Sequence, residues 1–310
     1  MRIVSLLPSA TEFICALGLR DQLVGVSHEC DYPASVVGLP VVTSTRIDHT
    51  APSRNIDDQV RRELELKQGL YALRRQVLED LTPDLIVTQS LCDVCAVAEA
   101  EVNAVCHTLS PAPQVFNLQP MNLGDILETP LKLGDAALAP AAGTRLQRSM
   151  NDRIEAVRAR SARIAPSARP RVIFLEWLDP PFNAGHWTPE LIDIAGGEPI
   201  LAAAGQPSTT ISWPRVCESR ADHLIVGCCG FDVGRSRREL ERLLADPTHP
   251  ARTWLEGATI SLVNGNAYFN RPGPRLVDSL EVVAHALHPD VHPLPGEAER
   301  ATTFRLPPDK

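Results

Sequence analysis

Short continuous apolar runs recur along the chain, each bounded by polar or turn-forming residues. Residues 3–7, 23–26, 85–88, 114–118, 172–175, 224–226 and 260–263 have the length and composition of buried strands, and a shorter run sits at Val41-Val42. Segments with helical spacing lie between them: 10–17, 56–81, 94–105, a stretch from about Asn122, 237–244 and 274–287. Strands that alternate with helices predict parallel sheets with helices packed outside them. At the first helix Ser9 and Glu12 have the spacing of a capping box, and Gly18 follows as its stop.

Residues 171–197 condense the pattern. An apolar run at 172–175 gives way to Pro180-Pro181, which cannot donate to a ladder and predicts the end of the strand. Thr188 is suited to an N-cap, Pro189 to the first turn, Glu190 to the positive end of the helix dipole, and Gly196-Gly197 to a C-terminal stop. Asn183, His186 and Trp187 fall in the loop between, where open α/β sheets bind ligands at the carboxyl ends of their strands. The same loop would serve equally as an ordinary connection whose Trp caps the core.

Between the two alternating halves, Leu146, Met150, Ile154, Val157 and Ile164 form one apolar stripe, with the small Ser161 inside it. This predicts a long connecting helix closed by Pro166 and Pro170, a rigid connector with little hinge bending. The predicted organisation is an N-terminal lobe over 1–140, the connecting helix over 141–168, a C-terminal lobe over 169–290 and an extended tail over 291–310. The fold class is α/β: two βα lobes with parallel sheets joined by one long rigid helix, the ligand cleft lying between the lobes.

Composition narrows the function. A net charge of −8 argues against a nucleic-acid partner or an anionic membrane surface. No apolar segment approaches the roughly 20 residues of a membrane span. Met1-Arg2 leads straight into the first strand, so the reading expects no export signal and a cytoplasmic location, or a periplasmic one if the start is misassigned. The eight cysteines include the vicinal Cys228-Cys229 and the pair Cys92 and Cys95, a pattern of reduced thiols and not of a disulfide scaffold.

The order and spacing of several motifs resemble the helical-backbone class (class III) of periplasmic substrate-binding proteins of ABC-transporter type, in particular its vitamin B12-binding branch. The motifs are the segment 3–12, Gly25-Val26-Ser27 with Asp31-Tyr32-Pro33, the segment 83–87, Pro180-Pro181-Phe182 with Gly196-Gly197, Trp213-Pro214, and the segment 269–275. The resemblance covers nearly the whole chain. It implies a cobalamin-like corrinoid or a related metal chelate, a small tetrapyrrole-like ligand, held between the lobes with no reaction catalysed, and Tyr32, Phe182 and Tyr268 with Phe269 occupy the matching loops. Where relatives place stacking aromatics, this chain has Thr43-Ser44-Thr45 and Gln89-Ser90-Leu91, while it adds His28, Cys30, Asn183, His186 and Trp187 as candidate ligand contacts.

Two further chemistries come from the residues themselves. Cys30, Cys92, Cys95 and His186 could hold zinc or cobalt, or contact the metal of the ligand; the alternative is small thiols packed under loops. Glu176, Asp179 and His186 could act in acid–base work, and Cys30 with His28 could form a thiolate nucleophile for an enzyme acting on a bound corrinoid, but no catalytic motif orients them. Cys228-Cys229 are expected to pack at a strand end and His285, His288 and His292 to lie at a solvated helix end. By the same resemblance, relatives pair one carboxylate per lobe with permease arginines. Gln76 and Asn270 stand at those positions, so docking to a permease is doubtful and the cytoplasmic reading gains support; Glu79 and Asp80 lie close enough to restore one charge. An importer component is the alternative function.

Overall fold

The apolar runs become strands of two sheets, in a computed structural model that describes residues 1–66, 69–89, 99–255, 258–293, 296 and 301–305. The chain divides into two units, one of Met1–Ala51, Asn55–Pro120 and Gly124–Met150, the other of Pro52–Arg54, Met121–Leu123 and Asn151–Lys310.

The N-terminal half runs β1 (Ile3–Ser5), α1 (Pro8–Ala16), β2 (Leu23–Val26), β3 (Thr43–Thr45), α2 (Ser53–Glu65), β4 (Tyr71–Leu73), α3 (Arg75–Leu81), β5 (Leu85–Gln89), α4 (Glu99–Cys106), β6 (Gln114–Leu118) and α5 (Leu123–Ala136). Its four-stranded sheet is parallel throughout, in the order β2-β1-β5-β6. Both faces of such a sheet are covered, which is why Ile3, Val4, Leu85, Ile86 and Val87 are all sealed from solvent. Val4, Leu6, Val42, Leu78, Ile86, Val102 and Cys106 form one core cluster. Gly25 lets β2 approach it: a Cβ there would sit 2.6 Å from Leu81 Cδ1.

Three expectations fail in this half. Ser9 is not a cap; α1 begins at Pro8 with Leu7 as its N-cap, and Ser9 is buried inside the helix with its hydroxyl unpartnered. The helical stretch expected over 56–81 is broken into α2, β4 and α3. Leu70 is buried and Tyr71–Leu73 pairs antiparallel with β3, so cross-strand pairing with Thr43-Ser44-Thr45 overrides local helix preference. The strand expected at Val41-Val42 starts two residues later, with Val41 making only an isolated bridge to Val26.

The long helix α6 (Pro140–Ser161) carries the predicted stripe, with Met150, Ile154, Val157 and Ser161 buried, and the border of the two units falls between Met150 and Asn151. It stops at Ser161 and does not reach the prolines, where a short 3₁₀ turn, Pro166–Ala168, follows.

The second unit then runs β7 (Arg171–Leu178), β8 (Pro181–Asn183), α7 (Thr188–Ile194), β9 (Glu198–Pro199), α8 (Trp213–Glu218), β10 (His223–Val226), α9 (Val233–Leu244), α10 (Ala251–Leu255), β11 (Thr259–Leu262), a π-helical turn (Gly265–Phe269), α11 (Leu276–Leu287) and β12 (Thr302–Arg305). Its six-stranded sheet has the order β12-β11-β10-β7-β8, with β9 also on β7. The inner strands are parallel; β8 and β12 are antiparallel edges. Pro181 therefore does not end the sheet: the chain turns after Leu178 and Pro181 opens β8, an edge position that needs no N–H from it. Thr188 is the first helical residue of α7, not its cap, which is Trp187. Gly196, at φ +90°, does stop the helix, and Gly197 N–H donates to the Ile192 carbonyl (2.9 Å).

The end of the chain corrects two more expectations. Residues 302–305 are not an extended tail but the strand β12 on β11. The histidines are not solvated either: His292 is 2% exposed with Nε2 at 3.1 Å from Ser161 Oγ, His285 Nδ1 donates to the His292 carbonyl (3.0 Å), and His288 Nε2 donates to the Gly196 carbonyl (3.0 Å). Among the described residues no helix is long and apolar enough to cross a membrane.

Candidate functional site

In the first unit the candidate residues leave the carboxyl end of β2. His28 is bound to β3: its N–H donates to Thr43 Oγ1 (3.0 Å), and Nδ1 stands 2.7 Å from the same oxygen. Burial pushes the imidazole below its ordinary value, against the pull of the Glu29 carboxylate. Its ring lies 5.2 Å from that of Tyr71, whose hydroxyl donates to Glu29 (2.8 Å). Tyr71 stands in a stretch with helical spacing, so its place beside His28 has no sign in the sequence. Tyr32 is 46% exposed, an unusual outlay for a large aromatic. The Cys30 thiol lies 3.1 Å from Thr11 Oγ1. With His28 on Thr43 and Cys30 beside Thr11, the two do not make the thiolate–imidazole pair that an enzyme reading requires. Cys92 and Cys95, with Ser90 and Leu91, lie outside the described residues.

In the second unit the loops at the carboxyl ends of β7, β10 and β11 carry the rest. Trp187 is a core residue: it is 5% exposed and its indole N–H donates to the Phe269 carbonyl (3.0 Å). Phe269 is 1% exposed and packs on Phe174 at 5.2 Å between ring centres. Asn183 is a loop strut, its amide donating to Leu201 O (2.6 Å) and accepting from the Thr209 N–H (2.7 Å) and hydroxyl (3.1 Å). These three candidates are thus occupied within the fold, and binding is not their first role. Phe182 is half-buried on β8 opposite Trp177.

His186 and Tyr268 remain. His186 sits in the left-handed region at φ +50°, held by its N–H to Gln206 O (2.6 Å) and by its own carbonyl, which accepts from the Gly205 N–H (2.9 Å). Strain at a non-glycine residue persists only where the surroundings enforce it. Half-burial lowers its basicity below that of a free imidazole. Tyr268 is half-buried on the π turn, its ring 5.2 Å from the Arg275 guanidinium carbon. That turn is tightly tied: Asn264 accepts from Ala267 N–H (2.8 Å), and Asn270 donates to the Gly227 and Gly265 carbonyls (3.0 and 3.1 Å). Asn270 is therefore a turn lock. Gln76, on the exposed face of α3, donates to Asp80 (3.0 Å), so a carboxylate persists there.

The carboxylates considered for catalysis are engaged elsewhere. Glu176 accepts from the Gly185 N–H (3.3 Å) and is paired with the Ser208 hydroxyl, while burial pushes its carboxyl up to about 7. Asp179 pairs with Arg54 (2.5 Å). The sequence reading missed Ser208, and no local signal could have found a partner 32 residues from Glu176. Among the described residues no group of three or more His, Cys, Asp or Glu side chains could hold a metal ion; the expected set of Cys30, Cys92, Cys95 and His186 lies partly outside those residues. Cys228 is buried just past β10, as expected, and Cys229 is exposed.

Residues 3–251 match the family described as periplasmic binding protein. The chain is 23% identical to the vitamin B12-binding protein of Vibrio cholerae over 285 residues, 91% of this chain and 87% of that one. Its fold is similar to that of a periplasmic haem-binding protein from Pseudomonas aeruginosa (TM-score 0.70, 18% identity, 98% of each chain). It is also similar to that of the periplasmic vitamin B12-binding protein of Vibrio cholerae (TM-score 0.60, 23% identity, 92% and 96% of the chains). This overturns the cytoplasmic expectation: the family and the relatives point to the periplasm. The absence of a charge at Gln76 and Asn270 was too weak a ground for the opposite conclusion.

Proposed function

Because the chain belongs to the periplasmic binding protein family, and is a substrate-binding protein and not an enzyme, we propose that its ligand is a corrinoid such as cobalamin, or a related tetrapyrrole metal chelate. The observation that carries the reading is what is left once the core is accounted for. At the carboxyl ends of the second unit's parallel strands the His186 and Tyr268 rings are partly exposed, and in the first unit, taken by itself, the Tyr32 ring is exposed. A phenol ring suits the face or edge of a flat macrocycle, and the His186 imidazole is the group suited to meet its metal. Vitamin B12 and haem, the ligands in the names of the relatives, are both of this class.

The test is a titration of the purified protein with cobalamin, cobinamide and haemin, followed by absorbance and calorimetry. One of the three should bind stoichiometrically, and Tyr32→Ala and Tyr268→Ala should each weaken it by about fivefold, the loss of ~1 kcal/mol of aromatic contact. No binding to any of the three removes the proposal. The cargo would pass to a membrane importer. Asp80, accepting from Gln76, and Glu79, paired with Arg75 (2.7 Å), keep carboxylates on α3 for such a contact, and a pull-down with the cognate permease tests it.

A further inference from the structure

His186 does not hold its own conformation. Its φ of +50° is one that a residue with a Cβ rarely adopts, and it falls in a turn closed by the Thr188 N–H on the Gly185 carbonyl (3.1 Å). The 205–208 segment laid against that turn adds to the constraint. His186 N–H donates to Gln206 O at 2.6 Å, Gly205 N–H donates back to His186 O at 2.9 Å, and Gly185 has no side chain because a Cβ would stand 2.4 Å from both Gln206 O and Ser208 N. Asn183 already ties these loops through Thr209, and one carboxyl adds a second tie beside His186. Glu176, at the end of β7, takes the Gly185 N–H on one oxygen and the Ser208 hydroxyl on the other. Its own backbone is fixed in turn, since its carbonyl accepts from Cys229 N–H (3.0 Å) on the β10 exit loop. Behind the imidazole, the Trp187 ring lies 5.4 Å away and is itself locked by the Phe269 carbonyl.

We propose that Glu176 is the positioning residue for His186: its carboxyl clamps the 185–186 backbone to Ser208 and so fixes the direction in which the imidazole meets the metal of the bound chelate. This rests on the reading of His186 given above. Groups that orient a metal-contacting imidazole act without touching the metal themselves, and removing one usually costs affinity and changes the ligand field. Glutamine is the conservative replacement, since its amide oxygen still accepts from Gly185 and its NH₂ donates to Ser208 Oγ, whereas alanine removes both contacts and leaves the loops held only by Asn183 and the 205–206 backbone.

The probe is haemin, whose ferric absorption bands report whether an imidazole is bound, titrated into the full chain. His186→Ala should abolish the imidazole signature. Glu176→Ala should weaken haemin by about tenfold or more and give a mixed spectrum; Ser208→Ala should move the same way by less, and Glu176→Gln should restore the wild-type affinity and spectrum. A structural defect alone would lower the melting temperature of Glu176→Ala without giving a mixed spectrum at saturating haemin. If His186→Ala leaves the bands unchanged, the His186 reading fails and the clamp falls with it. If His186→Ala changes them while Glu176→Ala and Ser208→Ala bind haemin with wild-type affinity and bands, the clamp alone is refuted.

Discussion

Lowering the pH from 7 toward 4 should unfasten the C-terminal part of the second unit, and His223 gives the size of the effect. It lies at the start of β10, with Nε2 at 2.8 Å from Ser261 Oγ, which is 2.7 Å from Thr303 Oγ1 of β12. Burial pushes its imidazole from 6.5 down to about 4; His288 and Arg305 push the same way, and Asp222 opposes them. The folded-state value is depressed, so between about 6.5 and 4 the unfolded chain binds a proton that the folded chain refuses. The stability is fully present above 6.5 and is lost as pH falls toward 4. At 1.36 kcal/mol per pH unit, that span corresponds to about 3 kcal/mol, a large share of the 5–15 kcal/mol that holds a domain together. His292, with a value also near 4 and with His288, Arg160 and His285 around it, acts in the same direction. The assay is urea unfolding followed by tryptophan fluorescence at pH 7.5 and 4.5, for the wild type and for His223→Gln, whose amide can still donate to Ser261 but does not titrate. The wild type should lose clearly more stability than the variant across this range. Equal losses would refute the assignment to His223.

Other outcomes follow from packing. Trp187→Phe removes the donor to a buried carbonyl and should cost about 1–3 kcal/mol in thermal or urea unfolding; an unchanged midpoint would mean that the indole bond to Phe269 contributes nothing. Gly265→Ala forces a Cβ to 2.2 Å from Cys228 O, so backbone must move; a loss of at least ~1–3 kcal/mol is expected, read by calorimetric melting. Iodoacetamide applied to the native protein should modify Cys229 and spare Cys228, which is buried and whose thiol burial pushes far up; peptide mass spectrometry reads the difference. Arg153→Ala breaks a pair of contacts to Asp278 (2.5 Å) and Glu281 (2.8 Å) that are partly open to water, and should cost only ~1 kcal/mol in urea unfolding.

The parallel strands were legible because a strand covered on both faces has to be apolar without interruption, as 85–87 and 224–226 are. The long helix was legible for the complementary reason, a stripe from Met150 to Val157 that nothing else explains. What escaped was fixed by partners distant in sequence. Tyr71 looks helical until Thr43–Thr45 pairs with its strand, and 302–305 looks like tail until β11 offers it an edge. The site was only half visible for a similar reason. A loop Trp reads alike whether it faces solvent or core, and only the carbonyl of Phe269, 82 residues away, decides that Trp187 is structural. Tyr32 and His186 do lie on loops, but the strained backbone of His186 and the Glu176 carboxyl behind it have no sequence signature.

The two antiparallel strands that flank the second sheet have a bearing on how the protein behaves when concentrated. A parallel sheet that ended at β11 or β7 would offer an unpaired row of amides and carbonyls to any neighbouring chain, the starting template for fibril-like stacking. Here one margin is closed by β12, whose residues alternate between half-buried and exposed and end in Arg305, and the other by β8, which opens on a proline and is covered in turn by residues 209–211. Short, polar or proline-bearing margins give a passing strand little to extend. Colloidal stability is thus written into the margins of the sheet and not into its core, and a chain shortened before Thr302 would keep most of its buried residues yet become adhesive to its own copies.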